Sequence, residues 1–336
     1  MDSTTFIDSS LIEEDQKFEV PLRPQSLKDF CGQKELCEKL EVTIGAARAR
    51  KEALGHTLFS GPPGLGKTTL AHIIAKSMDA KLVVTSGPVI EKAGDLAGLL
   101  TSLKTGDVLF IDEIHRLNRT IEEYLYPAME DFTLDLMIDS GPSARSVQVK
   151  LNPFTLVGAT TRMGLLTAPL RSRFVSSCRL NYYEPAVLQK IITRSASILN
   201  IKMDDESSLE IARRSRGTPR IANNLLRWLR DYSQMKTNNC INKEVVQKAL
   251  LMLAIDERGL DEMDLKFLEV LIDHYDGGPV GVGTLAVALG EEAHTLEEVY
   301  EPYLILQGLL KRTQRGREAT LLAYQHMNRK YNRGED

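Results

Sequence analysis

Between Gly61 and Thr68 the chain reads GPPGLGKT, a G-x-x-x-x-G-K-[ST] string that follows the apolar pair Leu58 and Phe59 and precedes a helix-patterned run, Thr69 to Met78. Glycines let backbone N–H groups turn inward onto phosphate oxygens, and the helix N-terminus behind them adds positive dipole. In that arrangement Lys67 reaches the β and γ phosphates and the Thr68 hydroxyl ligates Mg²⁺. A purely structural glycine turn is the alternative, and the strand-before, helix-after context argues against it.

Further along, VLFIDEIH sets Asp112 at the carboxyl end of an apolar run, where ligands gather in open parallel sheets. An acid there is costly unless it serves a cation. Asp112 would bind Mg²⁺, directly or through water, and Glu113 would orient and deprotonate an attacking water. Two acids after a strand also cap helices, but beside a phosphate loop the catalytic reading is the stronger. Thr160 and Thr161 end the run FTLVGAT and offer a hydroxyl to the water or the γ-phosphate; strand-end capping is the plainer role. Arg171 and Arg173 in APLRSRF are remote in sequence from the phosphate loop. A guanidinium offered from here to a neighbouring subunit's nucleotide would stabilise transition-state charge; a surface salt bridge is the alternative. Arg220 in RGTPRIAN opens a helical run and reads either as a γ-phosphate sensor or as an exposed helix-start arginine.

These residues need a scaffold. From His56 to Phe174 the runs HTLFS, KLVVTS, DVLFID and FTLVGAT read as buried strands alternating with helical patterns, which predicts an α/β domain with a parallel sheet. The strand KLVVTS separates loop from acids in the manner of the additional-strand branch of these ATPases. Past Tyr183 strands are expected to stop, and helices are expected at Ala186 to Ile198, Ser207 to Arg214, Thr218 to Met235 and Lys243 to Met252, an all-α unit. A charged, glycine-marked joint at Asp256 to Asp261 leads to a third unit, with helices near Asp264 to Tyr275, Val282 to Leu289 and Leu296 to Gln307. Its end, GLLKRTQRGREATLLAY, reads as two short apolar runs around a basic turn, as in a winged helix. Lys311, Arg312, Arg315 and Arg317 place four positive charges there, suited to phosphate contact or simply solvated. Within the first domain, Thr133 to Leu151 reads as a hairpin, with Leu134, Leu136 and Ile138 on one face, a turn at Ser140 to Pro142, and Val147, Val149 and Leu151 returning. Its apolar face is either a docking site or core.

Composition narrows the classes. At 336 residues the chain predicts two or three compact units. A formal net charge of −4 argues against coating nucleic acid with the whole surface. The four cysteines, Cys31, Cys37, Cys178 and Cys240, have neither metal-ligand spacing nor a disulfide framework, so a reducing cytoplasmic setting is expected. The acidic stretch Met1 to Asp15 is no secretory signal, and no apolar run approaches the length of a membrane span.

GPPGLGKTTLA, TSGPVIEKAGDLAGLL, VLFIDEIHRL, LYPAMEDF, GATTR, APLRSRF, RGTPRIAN, GGPVG, EPYLILQG and RTQRGR together resemble the RuvB family of AAA+ motors that branch-migrate Holliday junctions. The loop and acid motifs are shared by all AAA+ proteins, including clamp loaders and initiators; MEDF, TSGPVIEKAGDLA and RTQRGR are more specific. The resemblance implies an ATPase domain (1–183), a helical lid (184–255) and a winged-helix head (256–336). It also implies a homohexameric ring that uses ATP and Mg²⁺ to pump the duplex arms of a junction held by RuvA, with the RuvC resolvase in a larger complex. Carried onto this sequence, it places Leu22, Arg23, Gly64, Lys67, Thr68, Thr69, Glu130, Asp131, Phe132 and Tyr183 at the nucleotide, Arg173 as the finger across the interface and Arg220 as the lid sensor. It further places Arg312 and Arg317 on DNA backbone and the 133–151 hairpin on RuvA. Cys31 replaces a commoner aliphatic residue, and Asn224 and Trp228 alter the helix after Arg220. A clamp-loader subunit would carry a helical collar instead of a basic wing, and a non-hydrolysing nucleotide switch would have less use for Glu113.

Overall fold

The structure is a computed structural model and describes residues 20–137, 146–237 and 239–331. Its chain divides into two compact units: one runs through Ile191 and includes Thr218–Arg220, and the other comprises Ile192–Gly217 with the residues from Ile221 on.

The first unit begins with helix α1 (Lys34–Arg50), whose buried residues Leu36, Leu40, Ile44 and Ala47 fall on one face among charged neighbours. There follow β1 (Thr57–Ser60), α2 (Lys67–Ser77), β2 (Leu82–Ser86), α3 (Ala93–Ser102), β3 (Val108–Asp112) and α4 (Arg119–Glu130). The hairpin β4 (Thr133–Met137) and β5 (Ser146–Lys150) precedes β6 (Thr155–Thr160), α5 (Ala168–Ser172) and β7 (Ser176–Arg179). The sheet order is β2-β3-β6-β1-β7, all pairs parallel. Strands β1 and β6 are buried throughout and β3 through Ile111, as expected where helices cover both faces. Against one face Leu58, Leu109, Ile111 and Leu156 pack with Leu96, Leu100, Ile121 and Leu125 of α3 and α4.

The fifth strand, β7, corrects the sequence-based expectation of four. It reads SSCR and buries only Cys178, because an edge strand needs no continuous apolar run. The hairpin forms with Leu134 opposite Val149 and Leu136 opposite Val147. Leu134 is fully buried while Val147 is exposed, so the expected apolar face is divided between core and surface. Ile138 and the expected turn at Ser140 to Pro142 lie outside the described residues.

Beyond β7, helices α6 (Pro185–Ile198), α7 (Asp205–Arg214), α8 (Pro219–Lys236) and α9 (Lys243–Met252) form where helices were expected. Strands do not stop entirely: β8 (Lys202–Met203) pairs in parallel with β9 (Cys240–Ile241). Two residues per strand is too short for a periodic signal. Asp204 and Asn242 cap α7 and α9 through side-chain oxygens. Trp228 donates its indole N–H to Ala249 O at 2.9 Å, so this residue ties α8 to α9.

Helix α10 (Glu262–Glu269) runs on as a π-helical turn to His274, and α11 (Val282–Leu289) follows. A continuous helical stretch then comprises α12 (Ala293–Thr295), a π turn at Leu296–Tyr300 and α13 (Glu301–Leu306). Strands β10 (Leu310–Thr313) and β11 (Gly316–Ala319) form an antiparallel wing, with Val280 bridging to Arg317, before α14 (Leu321–His326). Leu268, Leu271, Leu285, Leu304 and Leu310 are among the core of this part. No helix among the described residues is long and apolar enough to cross a membrane.

Candidate active site

The sheet order brings the carboxyl ends of three strands together. Ser60 lies opposite Thr160, and Ile111, one residue before Asp112, lies opposite Gly158. The phosphate loop leaves β1 and enters α2 at Lys67. Gly64 has φ +76°, and a side chain there would meet Thr218 Cγ2 at 2.7 Å, so both conformation and space demand glycine. Lys67 is buried and donates from Nζ to Gly61 O and Pro62 O, each at 2.8 Å. Burial lowers its pKa to about 8, against the opposing pull of Glu113 and Asp112. The ammonium therefore rests on the carbonyls of its own loop, next to the surface on which the loop N–H groups would receive phosphate. Thr68 and Thr69, half-buried, begin α2 behind it.

Asp112 is held above the usual carboxylate range, first by burial and second by Glu113. Glu113 sits in the left-handed region, φ +45°, which turns it sharply off the end of β3. Its Oε2 accepts from Thr161 Oγ1 at 3.0 Å and Thr161 N at 3.3 Å and lies 3.1 Å from His115 Nδ1. Burial, the largest single influence, pushes Glu113 up; the combined donors outweigh it, and the net pKa is lowered. His115 Nδ1 also lies 3.0 Å from Thr160 Oγ1. The site so described joins Asp112, Glu113 and Thr161 as expected, and adds His115, which sequence reasoning did not assign although it stands in the same VLFIDEIH run.

The entry segment lies along α2. Leu22 is buried, Arg23 Nη1 is 3.4 Å from His72 Nε2, and Lys76 donates to Gln25 Oε1 at 3.1 Å. Tyr183 donates its hydroxyl to Leu65 O at 3.0 Å, and burial raises its pKa. Arg220 N approaches Gly64 O at 3.4 Å, and its charge acts on both Lys67 and Asp112. Tyr183 and Arg220 thus join the phosphate loop, and Arg23 meets the helix that follows it.

Glu130, Asp131, Phe132 and Arg173 do not join the loop. Phe132 packs edge-on to His56 and Phe154, with ring centroids 6.4 Å and 5.9 Å apart, and those two residues immediately precede β1 and β6. His56 Nδ1 accepts from Leu156 N at 2.8 Å and its Nε2 meets Met129 O at 3.0 Å, which pins the end of α4 to the amino edge of the sheet. Arg173 pairs with Glu130 at 3.1 Å, donates to Pro169 O at 2.7 Å, and lies 4.4 Å over the Tyr126 ring. Buried Glu122 fixes this platform by accepting from Thr167 Oγ1 at 2.7 Å and Tyr126 OH at 3.1 Å. Within a single chain, Glu130, Asp131 and Phe132 therefore lie by the amino edge of the sheet, and the phosphate loop lies at the carboxyl edge. A four-residue strand of about 13 Å separates the two edges.

The wing also departs from a free basic turn. Arg312 stands in β10 and Arg317 in β11, directly opposite each other. Arg317 is buried, its Nε donating to Glu301 Oε1 and its Nη2 to Glu297 Oε1, both at 2.7 Å. Arg312, half-exposed, shares Glu297 at 2.5 Å. Among the described residues no cluster of His, Cys, Asp or Glu could hold a metal ion unaided.

Three family models cover the chain in succession: the Holliday junction DNA helicase RuvB P-loop domain over residues 22–180, the RuvB AAA lid domain over 183–256, and the RuvB C-terminal winged helix domain over 257–328. The Holliday junction branch migration complex subunit RuvB of Protochlamydia amoebophila is 70% identical over 322 residues, 96% of this chain and 97% of its own length. That of Chlamydia trachomatis is 58% identical over 320 residues, 95% and 96% of the two chains. Among solved structures, the Thermotoga maritima RuvB Holliday junction branch migration motor superposes with a TM-score of 0.84 at 51% identity, covering 92% of this chain and 99% of that one.

Proposed function

The chain belongs to the RuvB family, and from that premise we propose that it is an ATP-driven DNA translocase that branch-migrates Holliday junctions in recombination and repair. The observation that carries this reading is Glu113, gripped by Thr161 and His115 beside Asp112 at the mouth of a phosphate loop. A non-hydrolysing nucleotide switch would have less use for a positioned base. Lys67, Gly64, Thr68 and Thr69 would hold the phosphates, with Leu22, Arg23, Tyr183 and Arg220 around the nucleotide. Thr68 and Asp112 would hold Mg²⁺, which supplies charge neutralisation on the phosphates. Release of Glu113 from His115 and Thr161 would free its Oε2 to accept the proton of the attacking water.

Arg173 cannot serve its own phosphate loop from the opposite edge of the sheet, so it would act on a neighbour's nucleotide, with Glu130, Asp131 and Phe132 beside it. A closed ring of six such chains supplies that neighbour at every site. The segments 1–183, 184–255 and 256–336 would act as motor, lid and DNA-gripping head. Arg312 and Arg317 would face the backbone of a duplex arm, and the 133–151 hairpin, with Val147 turned outward, would dock a RuvA-type partner. A RuvC-type resolvase would join the larger complex, and the setting would be the cytoplasm.

The test is a synthetic four-way junction mixed with the protein, ATP and Mg²⁺, with and without a RuvA-type partner, beside Glu113→Gln. Dissociation of the junction only by the unaltered protein with its partner is the expected result. ATP consumption with an intact junction, where the partner is shown to bind it, would overturn the substrate assignment.

A further inference from the structure

The motif RGTPRIAN carries two arginines, and only Arg220 is used by the reading above. Arg216 is buried at 3% exposure and takes the left-handed conformation, φ +53°, just past the end of α7. Its Nη1 lies 3.0 Å from Asp264 Oδ2 and 3.6 Å from Asp261 Oδ2, and its Nη2 donates to Asp264 Oδ1 at 3.3 Å. The guanidinium plane rests 4.3 Å from the Tyr303 ring centroid. Asp261 and Asp264 form the capping box of α10, and Tyr303 belongs to α13, so all three partners lie in the winged-helix head while Arg216 lies in the lid. A bidentate fork stacked on an aromatic ring holds both distance and orientation, which a point charge does not.

The joint between lid and head is locked from its other sides as well. Gly259 has φ +78°, and a side chain there would strike Arg214 O at 2.7 Å. Asp256 accepts from Arg258 N at 2.8 Å and Leu260 N at 2.9 Å and pairs with His326 of α14 at 2.7 Å. Tyr303 donates its hydroxyl to Arg258 O. A stretch that reads in sequence as a linker is therefore packed and hydrogen-bonded along its length, and the lid residues Ile192–Gly217 and those from Ile221 on fall with the head within one compact unit.

We propose that Arg216 is a positioning residue for translocation: it clamps the head to the lid through Asp264, Asp261 and Tyr303, so that a nucleotide state sensed four residues later at Arg220 moves the DNA-gripping head as one lever. This rests on the translocase reading given above. Loss of the clamp leaves the ATP site intact and lets the head lag behind the lid, so fuel is spent without movement of DNA.

Two variants test it. Arg216→Lys keeps the charge and loses the fork. The double variant Arg216→Met with Asp264→Asn removes both buried charges together and so avoids stranding either one. Base pairs migrated per ATP and amide exchange across residues 258–265 are measured on each full-length variant. The expected result is ATP turnover close to that of the unaltered protein, a yield of base pairs per ATP lowered about tenfold in the double variant and less in Arg216→Lys, and exchange protection at 258–265 lowered about tenfold or more. ATP turnover falling in step with migration, an unchanged yield, or unchanged protection would each overturn the clamp. If the unaltered protein itself moves no junction, the translocase reading fails instead, and the exchange measurement alone still decides whether Arg216 holds the head.

Discussion

The two edges of the central sheet carry different groups of the residues assigned to the proposed catalytic apparatus. At the carboxyl edge, Lys67, Asp112, Glu113 and Thr161 come from segments that directly end a strand, and strand order alone brings them together. At the amino edge, Arg173, Glu130 and Tyr126 come from α4 and the α5 turn and are assembled by side-chain packing on buried Glu122 and His56. Both halves rest on internal partners: Lys67 on its own loop carbonyls, Glu113 on His115 and Thr161, Arg173 on Glu130 and the Tyr126 ring. On the proposed reading, a chain built this way holds half of each of two sites, and its chemistry depends on assembly.

The sharpest way to break that comparison is to remove one edge at a time. Arg173→Ala is expected to lower the ATP turnover of the assembled protein about 10³-fold or more while nucleotide binding persists, as measured by equilibrium titration beside steady-state kinetics. Glu113→Gln is expected to cost about 10²- to 10⁴-fold in turnover, also with binding retained. Mixing the two inactive proteins is then decisive. An interface that pairs an intact carboxyl edge with an intact amino edge regains turnover, whereas halves that acted within one chain would stay inactive in the mixture.

The same contrast explains how much was legible beforehand. The carboxyl edge was readable because phosphate chemistry fixes residue types at fixed spacing, and four of the five strands announce themselves as buried apolar runs. SSCR did not, since an edge strand that buries one cysteine leaves no periodic trace. His115 was visible in VLFIDEIH but had no assigned partner until β6 brought Thr160 beside it. At the amino edge, Arg173 read either as a finger or as a surface salt bridge, Glu130 to Phe132 could be named only by resemblance, and which side of the sheet they occupy depends on where α4 and α5 pack. Arg317 is a similar case: its charge reads as surface, while its burial against Glu301 requires the fold of the head.

A smaller effect is expected from pH, and only at the carboxyl edge. With its pKa lowered to about 8, Lys67 is charged below that value and neutral above it. Phosphate prefers the charged form, so nucleotide affinity should be flat below about pH 7 and fall by up to about tenfold per unit above about pH 8. Isothermal titration across pH 6.5 to 9.5 measures this, and Arg173→Ala should leave the profile unchanged. A profile that moved with Arg173 would place both edges at one nucleotide.

The smallest expected effect isolates the platform under the finger. Tyr126 supports Arg173 through its ring face and meets Glu122 through its hydroxyl, so two substitutions separate the contributions. Tyr126→Phe keeps the ring and gives up a hydrogen bond for which Thr167 remains a donor to Glu122, so turnover should stay within about twofold. Tyr126→Leu removes the ring, and a partly shielded cation–π contact of about 1 kcal/mol corresponds to about fivefold in turnover. The loss should appear in kcat with KM unchanged, because a residue on the amino edge does not touch the nucleotide bound by its own chain. A rise in KM within isolated, unassembled subunits would place Tyr126 at its own phosphate loop and erase the distinction between the two edges.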